Sequence, residues 1–353
     1  MKILHTADIH LRSDKDERWK TLEKLISLGR KEKVDLFVIS GDLFDKGAAA
    51  EKLRPKLRPL FSKTGFRIVI VPGNHDSDSY RGGLYFGQDA VILNDRFKPF
   101  EMEGVRVLAL PYERIEGREM ADRIDSLKKL CRQDKKNILL CHGELLDSFF
   151  SREDFGQEGK ERYMPFWLSN FDELDVECVL AGHFHKSFDV RRMKNEAFFV
   201  YPGSPVSITR RETGQRKVNL FKLGEEPQEY ALDSPHYQEI LLKLNPLEEM
   251  DPVAGVKKIL DGLPPGARAL VKVSGFVNCR ALKTSETELE ERIEELVEKK
   301  GELETFECRD IQEIGEDDLF KDFVRILNAR EPDFRKREEL IEITLRAMIE
   351  ARG

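Results

Sequence analysis

Residues 66–76 read FRIVIVPGNHD, and the pattern in this stretch recurs through the N-terminal part of the chain. A run of β-branched residues without polar alternation is typical of a strand that is buried on both faces of a sheet. The run stops at a proline and a glycine, which favour a turn. Asn74, His75 and Asp76 follow at once. The stretch therefore predicts a buried strand with polar side chains in the loop at its carboxyl end.

Four other apolar runs end in the same way. They are residues 3–6 before Asp8 and His10, residues 34–40 before Gly41 and Asp42, residues 137–141 before His142, and residues 178–181 before His183 and His185. The spacing of apolar residues predicts helices at about residues 16–33 and 118–132. Such alternation predicts an α/β domain, in which functional residues collect in the loops past the strand ends.

The remaining segments predict further strands and a second part of the chain. Strands are predicted at residues 105–110, 198–201 and 218–223, and residues 51–63 should form a broken or kinked helix because they contain Pro55 and Pro59. After a connector at residues 224–227 we predict a βαβ-like unit (strand 269–273, helix 285–299, strand 303–308) and then helices at 318–329 and 335–351. The predicted domains are residues 1–233, an α+β domain at 234–316, and a helical segment at 317–353.

Composition narrows the class of protein. No apolar run approaches the roughly 20 residues that a membrane span needs, and the N-terminus passes directly into a strand, so we expect a soluble, cytoplasmic protein without a signal peptide. Five cysteines without CxxC spacing argue against a disulfide framework and a zinc ribbon. The net charge of −7 lacks the basic excess of many nucleic-acid-binding proteins, so any contact with a polyanion must depend on local basic patches and bound cations.

The polar side chains at the strand ends have the chemistry of a two-metal site. Two divalent ions about 3.5–4 Å apart can clamp the attacking and leaving oxygens of a displacement at phosphorus, and one carboxylate must bridge them. Asp42 is the bridging candidate, and the other predicted ligands are Asp8, His10, Asn74, His142, His183 and His185. Oxygen and imidazole ligands without thiolate favour manganese, iron or zinc over calcium or copper. Each motif alone also fits an ordinary turn, and it is their common position after strands that indicates a metal site.

His75 lies next to a predicted ligand and is the candidate catalytic residue. A histidine there could protonate the leaving oxygen or stabilise charge on phosphorus, while a metal-bound hydroxide attacks. Asp76 could offset the effect of the two cations on the protonated form of His75. His5 and His236 are predicted to be structural, although His5 could support the metal site from behind the ligands.

The ordered set Asp-X-His, Gly-Asp-X-X-Asp, Gly-Asn-His-Asp, His and Gly-His-X-His resembles the calcineurin-like metallophosphoesterase superfamily. Residues 1–11, MKILHTADIHL, look like the start of the SbcD-type DNA repair exonucleases, which are the nuclease partners of a coiled-coil ABC ATPase in double-strand-break repair. Residues 41–45, GDLFD, and 201–205, YPGSP, fit the same group. The resemblance extends over about residues 1–223 and beyond that is one of layout only.

The resemblance implies a fold, a ligand assignment and partners. The fold is a two-sheet sandwich flanked by helices. A small capping domain and then a helical ATPase-binding segment follow it along the chain. Asp8, His10, Asp42 and His185 would surround one ion, and Asp42, Asn74, His142 and His183 the other, with His75 as the catalytic residue. It also favours manganese, a homodimer formed through the nuclease domain, and an SbcC-type ATPase as partner. Asp45 departs from the histidine that archaeal and eukaryotic relatives often have, which puts in doubt any role copied from that histidine.

Three functions follow from these observations. The first is a manganese-dependent DNA nuclease, a 3′–5′ exonuclease with or without single-strand endonuclease activity. Lys186, Arg210 and Arg211 are its candidate substrate-binding residues, and the other basic residues near the last motifs are Arg191, Arg192, Arg216 and Lys217. The second is a phosphoesterase for a non-DNA phosphodiester or phosphomonoester; Lys46 and Asp76 disfavour a phosphoprotein phosphatase, which usually has Arg and Glu there. The third is an assembly subunit with a vestigial metal site.

The last helix has two interpretations. Leu340, Ile341, Ile343, Thr344, Leu345, Met348 and Ile349 form a broad apolar face. This face could dock onto the protein's own body, or it could bind the base of an ATPase coiled coil.

Overall fold

The computed structural model describes residues 1–80, 84–147, 162–245 and 251–352. Gly353, the last residue of the predicted helical segment, lies outside the described residues. The chain divides into two compact units, Met1–Tyr237 and Gln238–Gly353.

The first unit alternates strands and helices. In chain order it contains β1 (Lys2–Thr6), α1 (Glu17–Lys31), β2 (Leu36–Ser40), α2 (Gly47–Leu60), β3 (Arg67–Val71), β4 (Ala90–Ile92), β5 (Phe100–Met102), β6 (Val105–Leu110), α3 (Gly117–Leu127), β7 (Lys136–His142), β8 (Cys178–Gly182), β9 (Asp189–Arg192), β10 (Phe198–Tyr201), β11 (Lys217–Lys222) and β12 (Glu229–Ala231), with short 3₁₀ helices at Ser77–Tyr80, Lys128–Leu130 and Leu168–Phe171.

The described strands of this unit form two six-stranded sheets. The first has the order β12-β11-β1-β2-β3-β4, and the second has the order β5-β6-β7-β8-β10-β9. β1 to β4 are parallel neighbours, as are β6, β7, β8 and β10. The carboxyl ends of parallel neighbours meet at one edge of a sheet, so each sheet gathers its motifs there.

The apolar residues between and outside the sheets make the first unit a sandwich. Val38 and Val69 of the first sheet and Leu140 and Leu180 of the second belong to one buried cluster. A second cluster joins the first sheet to α1 and α2, and a third joins the second sheet to α3. Burying each such side chain contributes about 1.5–3 kcal/mol. A two-sheet sandwich flanked by helices confirms the predicted fold class.

Two helices show where local sequence rules hold and where they do not. The Asp16 side chain accepts a hydrogen bond from the Trp19 amide at 3.0 Å and caps α1. The predicted break in α2 is wrong, because the helix is continuous through Pro55 and Pro59, whereas the alternative of a kink stays a prediction. Both prolines lie on its exposed side, where carbonyls that lose a partner can bind water, while Leu53 and other apolar residues stay packed.

The second unit contains a small sheet and a helical end. Its elements are β13 (His236–Leu244, which begins in the first unit), α4 (Pro252–Asp261), β14 (Ala267–Val277), α5 (Cys279–Leu282), α6 (Glu286–Val297), β15 (Gly301–Asp310), α7 (Gln312–Gly315), α8 (Asp318–Arg330) and α9 (Phe334–Arg352). The described strands have the order β13-β14-β15, and β14 and β15 are parallel, as expected for the predicted βαβ unit. β13 and α4 were not predicted from the sequence.

The helices at the end of the second unit pack on a cluster of their own. Ile341 and Leu345 of α9 are buried with Phe276 of β14 and Phe320 of α8, whereas Ile343 is 56% exposed. Docking onto this unit therefore uses part of the predicted apolar face. Among the described residues, the helices lack the combination of length and apolar composition that a bilayer span requires.

Candidate metal centre

The loops that carry the predicted ligands have an unusual backbone. Asp8, His10, Asp42 and His183 have φ angles of 55°, 50°, 51° and 104°. This left-handed region costs free energy for residues other than glycine, and such residues concentrate at functional sites. The loops also hold one another, because the amide of Asp8 donates to the Gly41 carbonyl at 3.1 Å and that of His10 donates to the Asp42 carbonyl at 2.9 Å.

Two glycines allow the strand ends to approach closely. A Cβ atom on Gly73 would lie 2.1 Å from Oδ1 of Asp42, and one on Gly182 would lie 1.9 Å from the carbonyl oxygen of Ser40. Any larger residue would push the loops apart.

The first group of candidate ligands consists of Asp8, His10 and His185. One atom from each lies within 4.8 Å of the others, and all three residues are buried. Nε2 of His10 is 3.3 Å from Nε2 of His185, which is 3.6 Å from Oδ1 of Asp8. The imidazole nitrogens therefore converge on the same space as a carboxylate oxygen.

The second group consists of Asp8, Asp42 and His142, with Asn74 beside it. Nε2 of His142 is 2.8 Å from Oδ1 of Asn74 and 3.3 Å from Oδ2 of Asp42. The same Asp42 oxygen is 3.7 Å from Nε2 of His10 in the first group. Asp42 thus lies between the two groups, where a bridging carboxylate would be needed.

His183 is placed differently from the other histidines. Within the described residues, the compact groups of ligand atoms do not include it. Its ring lies 5.4 Å from that of His142 between centroids, and its amide donates to both carboxylate oxygens of Asp8 at 3.0 and 3.2 Å. Phe184, which separates His183 from His185 in the sequence, is buried in the core. The assignment of the two histidines to different ions stays a prediction.

Hydrogen-bond acceptors fix the rings of His142 and His185 through Nδ1, the nitrogen that faces away from the centre of the site. Nδ1 of His142 lies 2.9 Å from the Ser40 carbonyl, which can only accept a hydrogen bond. Nδ1 of His185 lies 3.3 Å from Oε1 of Glu212. An acceptor on Nδ1 keeps the proton there and leaves the lone pair of Nε2 towards the centre of the site.

The electrostatics of the centre favour positive charge. Burial disfavours protonated His142, but the carboxylates of Asp42 and Asp8 outweigh it and raise the pKa to about 10. His185 shows the same balance with Asp8 and Glu212, so its pKa lies well above the usual value. Burial and the neighbouring His185 lower the pKa of His10. The carboxylates therefore hold protons on nearby rings, and a bound cation would compete with those protons.

The residues present fit a pair of divalent ions. Oδ2 of Asp42 and Nδ1 of His10 are buried and have no hydrogen-bond partner among the described residues. A buried carboxylate oxygen in that state costs free energy unless a cation lies beside it, and without metal the protonated ring of His142, 3.3 Å away, takes that place. The donor set combines carboxylate and amide oxygens with imidazole nitrogens, as manganese, iron and zinc prefer.

Comparison with known proteins agrees with this geometry. Residues 1–187 match the sequence model of the calcineurin-like phosphoesterases. The chain belongs to this family. Calcineurin-like phosphoesterases hydrolyse phosphoesters with divalent metal ions, and the groups around Asp8 and Asp42 are the candidate ligands.

Among curated relatives, this phosphoesterase is similar to two nuclease subunits. It is 23% identical over 291 residues to the SbcD subunit of nuclease SbcCD from Staphylococcus epidermidis, and 26% identical over 284 residues to that from Staphylococcus saprophyticus, covering 72% of each chain in both cases. It is also 22% identical over 261 residues to the uncharacterized metallophosphoesterase YhaO of Bacillus subtilis, covering 67% of this chain and 60% of that one.

Solved structures with a similar fold include TT1561 of Thermus thermophilus and a dimetal phosphatase from Danio rerio. The first has a TM-score of 0.43 and 15% identity, covering 65% of this chain and 98% of that one. The second has a TM-score of 0.43 and 13% identity, covering 62% and 91%.

The candidate catalytic residue of this phosphoesterase, His75, lies at the edge of the ligand groups. Its amide donates to Oδ1 of Asp42 at 2.9 Å, and its Nδ1 lies 3.1 Å from the Asp45 carbonyl. Its ring contacts that of His10 edge to face, with 4.7 Å between centroids. One of its ring nitrogens lies within 4.8 Å of possible ligand atoms of His10 and Asp42. The Asp45 carbonyl holds Nδ1–H and leaves Nε2 as the ring atom for chemistry.

Asp76 makes its hydrogen bonds to the loop rather than to His75. It accepts from the Gly73 amide at 2.9 Å, the Phe44 amide at 3.2 Å and the Tyr80 hydroxyl at 2.8 Å. Burial, with the charge of Asp42, raises its pKa to about 7. These contacts hold the 73–80 loop in place, which was not anticipated from the sequence.

Asp45 is paired with two arginines that sequence reasoning missed. Its Oδ1 accepts from Arg12 at 3.0 Å and from Arg18 at 3.3 Å, and lies 3.8 Å from Nδ1 of His10. Arg18 also donates to the His10 carbonyl at 2.5 Å.

The basic residues near the last motifs divide into three sets. Lys186, Arg210 and Arg211 are exposed. Arg216 is 2% exposed and donates to backbone carbonyls, so the idea that it contacts substrate phosphates is wrong. The rest, Arg191, Arg192 and Lys217, pair with Asp189, Glu196 and Glu229.

Proposed function

We propose that this phosphoesterase is a DNA nuclease that uses two divalent ions and acts in double-strand-break repair. The observation that carries the proposal is the position of Asp42 between two groups of candidate ligands, 3.3 Å from His142 and 3.7 Å from His10. One carboxylate shared by two ligand sets is the arrangement that a pair of ions acting together on an in-line displacement at phosphorus would use. The similarity to the SbcD subunits of the two staphylococcal nucleases supports DNA as the substrate.

Each ion would have its own ligands around the shared carboxylate. Asp8, His10 and His185 would hold one ion with Asp42, and Asn74, His142 and His183 the other. Bound there, the ions would act as Lewis acids that activate water and neutralise charge on the phosphoryl oxygens. Oxygen and imidazole donors favour manganese, iron or zinc, and manganese is our first choice among these partly because of the resemblance to the SbcD-type nucleases.

The residues of the chain would orient the rings and move a proton. Ser40 and Glu212 accept from Nδ1 of His142 and His185, which keeps each Nε2 towards the ions. The Asp45 carbonyl orients His75 in the same way. With a proton on both ring nitrogens, His75 would donate from Nε2. It would either give that proton to the leaving oxygen, which leaves a neutral ring with Nδ1–H on the Asp45 carbonyl, or donate a hydrogen bond to a phosphorus-bound oxygen.

Contacts with the rest of the DNA would come from exposed lysine and arginine. Lys186 directly follows His185, and Arg210 and Arg211 lie on the loop that carries Glu212. Phosphate contacts of this kind position the strand without reading its sequence. 3′–5′ polarity, a single-strand endonuclease activity and a homodimer belong to the same proposal.

The domain assignment also stays a proposal. Residues 1–233 would form the nuclease domain, 234–316 the capping domain and 317–353 the segment that binds an SbcC-type ATPase. Leu319, Ile326 and Ile343 are exposed apolar side chains on α8 and α9 and are the candidate contacts. A cytoplasmic location would follow from these partners.

Digestion of end-labelled linear duplex DNA with manganese tests the proposal. The wild type should degrade DNA, and both Asp42→Ala and His75→Ala should abolish this. Asp89→Asn is the matched control, because Asp89 accepts hydrogen bonds from Thr64 in the same unit and has no role in the site. Cleavage of a generic phosphodiester dye with intact DNA, with and without the ATPase partner, would contradict the nuclease and indicate a different phosphoester substrate.

A further inference from the structure

The carboxylate of Glu212 is buried directly behind the ring of His185. It is 3% exposed. Its Oε1 lies 3.3 Å from Nδ1 of His185 and accepts from the Thr209 hydroxyl at 3.2 Å. Its Oε2 accepts from the Ile208 amide at 2.6 Å and the Ser204 hydroxyl at 3.3 Å. Both oxygens are therefore fully used, and the carboxylate has a single orientation.

A buried arginine fixes the backbone on both sides of this pair. Arg216 donates to the carbonyls of His185 and Lys186, the latter at 3.0 Å, and to the Ser204 carbonyl at 3.0 Å. It also donates to the carbonyl of Glu212 at 3.4 Å. The Arg216 guanidinium thus connects the segment around His185 to the loop that carries Glu212. It also donates hydrogen bonds to carbonyl groups that would otherwise be buried without a donor.

The same loop is fastened at its outer side. The Ser207 amide donates to the Pro235 carbonyl at 3.2 Å, and the Gly214 amide donates to the Tyr237 carbonyl at 2.7 Å. The Ser207 hydroxyl donates to the Glu212 carbonyl at 2.7 Å. These hydrogen bonds fix the position of the loop and therefore of the Glu212 carboxylate. The carboxylate then determines the orientation of the His185 ring.

The contacts of Glu212 in this environment are those of a hydrogen-bond acceptor. The Ile208 amide and the Ser204 hydroxyl donate to Oε2, and the Thr209 hydroxyl donates to Oε1. A carboxylate that accepts from these groups can also accept from Nδ1 of His185, 3.3 Å away, so Nδ1 is the donor of this pair.

We infer that Glu212 is a positioning residue, whose carboxylate keeps a proton on Nδ1 of His185 and so leaves Nε2 to bind a divalent ion. The inference rests on the metal site proposed above. Carboxylate partners of this kind typically change metal affinity by about 10–100-fold when they are removed. The sequence offers no motif for it, because two strands, β9 and β10, and a loop separate Glu212 from His185.

Glu212→Gln is the decisive change because it keeps size and shape. The Ile208 amide is an obligatory donor, so the glutamine must place its carbonyl oxygen at the Oε2 position. Its NH₂ then faces Nδ1 of His185, which becomes an acceptor, and the proton moves to Nε2. That is the atom 3.3 Å from Nε2 of His10, and a protonated nitrogen cannot bind an ion.

Manganese binding, followed by the electron paramagnetic resonance of free Mn²⁺, measures the effect without turnover. The wild type should bind two ions, and Glu212→Gln should weaken one of them by about 10–100-fold. Thermal melting in the presence of a chelator should show that the variant is folded. Asp89→Asn is the matched control, since it makes the same chemical change at a carboxylate that also accepts from an amide and a hydroxyl, both from Thr64.

A double-mutant cycle with His185→Ala separates positioning from general support of the fold. If Glu212 acts through His185, Glu212→Gln should cause no further loss of Mn²⁺ affinity once His185 is removed. Additive losses would overturn the inference, as would unchanged affinity in folded Glu212→Gln. If the wild type and Glu212→Gln both bind two Mn²⁺ ions with the same affinity, only the role of Glu212 is refuted. If the wild type binds no Mn²⁺, the metal site is refuted as well.

A measurement on the wild type covers the case in which Glu212→Gln does not fold. In Zn²⁺-loaded protein with ¹⁵N-labelled histidine, the His185 signal, assigned by its loss in His185→Ala, should show a proton on Nδ1. A proton on Nε2 would overturn the inference.

Discussion

The last helix, α9, either docks onto the protein's own body or binds the coiled coil of an ATPase. Substitutions at Leu345 and Ile343, two residues apart in this helix, test these two interpretations. Leu345 is fully buried against Phe276, Ile311 and their neighbours, whereas Ile343 is 56% exposed. Truncation of a buried leucine to alanine costs about 2.7–5 kcal/mol, because transfer free energy is lost and a cavity remains. Truncation of an exposed side chain usually changes stability by less than about 0.5 kcal/mol. Leu345→Ala should therefore destabilise the second unit, and Ile343→Ala should not.

The assay is urea unfolding followed by two signals. Both tryptophans, Trp19 and Trp167, belong to the first unit, so their fluorescence reports on that unit alone. Hydrogen exchange of the α8 and α9 amides reports on the second unit. With a slope of roughly 2 kcal/mol per molar urea, a loss of about 3 kcal/mol lowers the second-unit midpoint by roughly 1.5 M.

The two variants should behave oppositely towards a partner. Ile343→Ala should weaken binding of an SbcC-type ATPase at unchanged stability, whereas Leu345→Ala should act through stability. Equal midpoints for both variants would refute the packing argument. Unchanged ATPase affinity in Ile343→Ala would refute the proposed contact while leaving the packing argument intact.

Three further predictions concern the site. His75→Ala should retain two Mn²⁺ ions and lose about 10²–10⁴-fold in DNA cleavage rate, because it removes a proton donor and none of the proposed ligands; loss of metal with an unchanged rate per loaded site would contradict this. Mn²⁺ binding at pH 8 should release protons, and affinity should rise with pH, because the pKa of His142, about 10 without metal, means that a proton must leave first; titration calorimetry in two buffers of different ionisation enthalpy measures the release, and identical heats would refute it. Lys186→Ala should weaken DNA binding and reduce its salt dependence, whereas Lys194→Ala, also exposed, should not; equal effects would remove Lys186 from the site.

The strand ends were predictable from the sequence because strands buried on both faces of a sheet consist of continuous apolar residues. β2 and β8 read as continuous apolar runs, and the turn after each run is marked by glycine. Since the carboxyl ends of parallel neighbours meet at one edge of a sheet, this pattern was enough to place Asp8 and Asp42, which follow β1 and β2, near one another. The ligand types at those ends then indicated the chemistry.

Other features could not be predicted, because they depend on contacts between distant segments. Arg216 looks like a solvated cation in the sequence, yet the fold surrounds it with backbone carbonyls. Glu212 has no motif and acquires its position only when its loop packs behind His185. The helix α2 tolerates Pro55 and Pro59 because both lie on its exposed face. The rule that proline disrupts a helix takes no account of which face of the helix is exposed.

The proposed metal site also lies where the two sheets are joined by polar contacts. The Ser40 hydroxyl of the first sheet donates to the Leu180 carbonyl of the second at 2.8 Å, and the Ser40 carbonyl lies 2.9 Å from Nδ1 of His142. Asp8 accepts from the His183 amide across the same junction. Ions bound by ligands from both sheets would therefore hold the sandwich together, and a ligand that binds only the folded state stabilises it by mass action. Mn²⁺ at 100 times its dissociation constant should add about 2.7 kcal/mol per site to the first unit. Because tryptophan fluorescence reports on that unit, a midpoint that does not respond to Mn²⁺ would show that the ligands do not come together as the geometry implies.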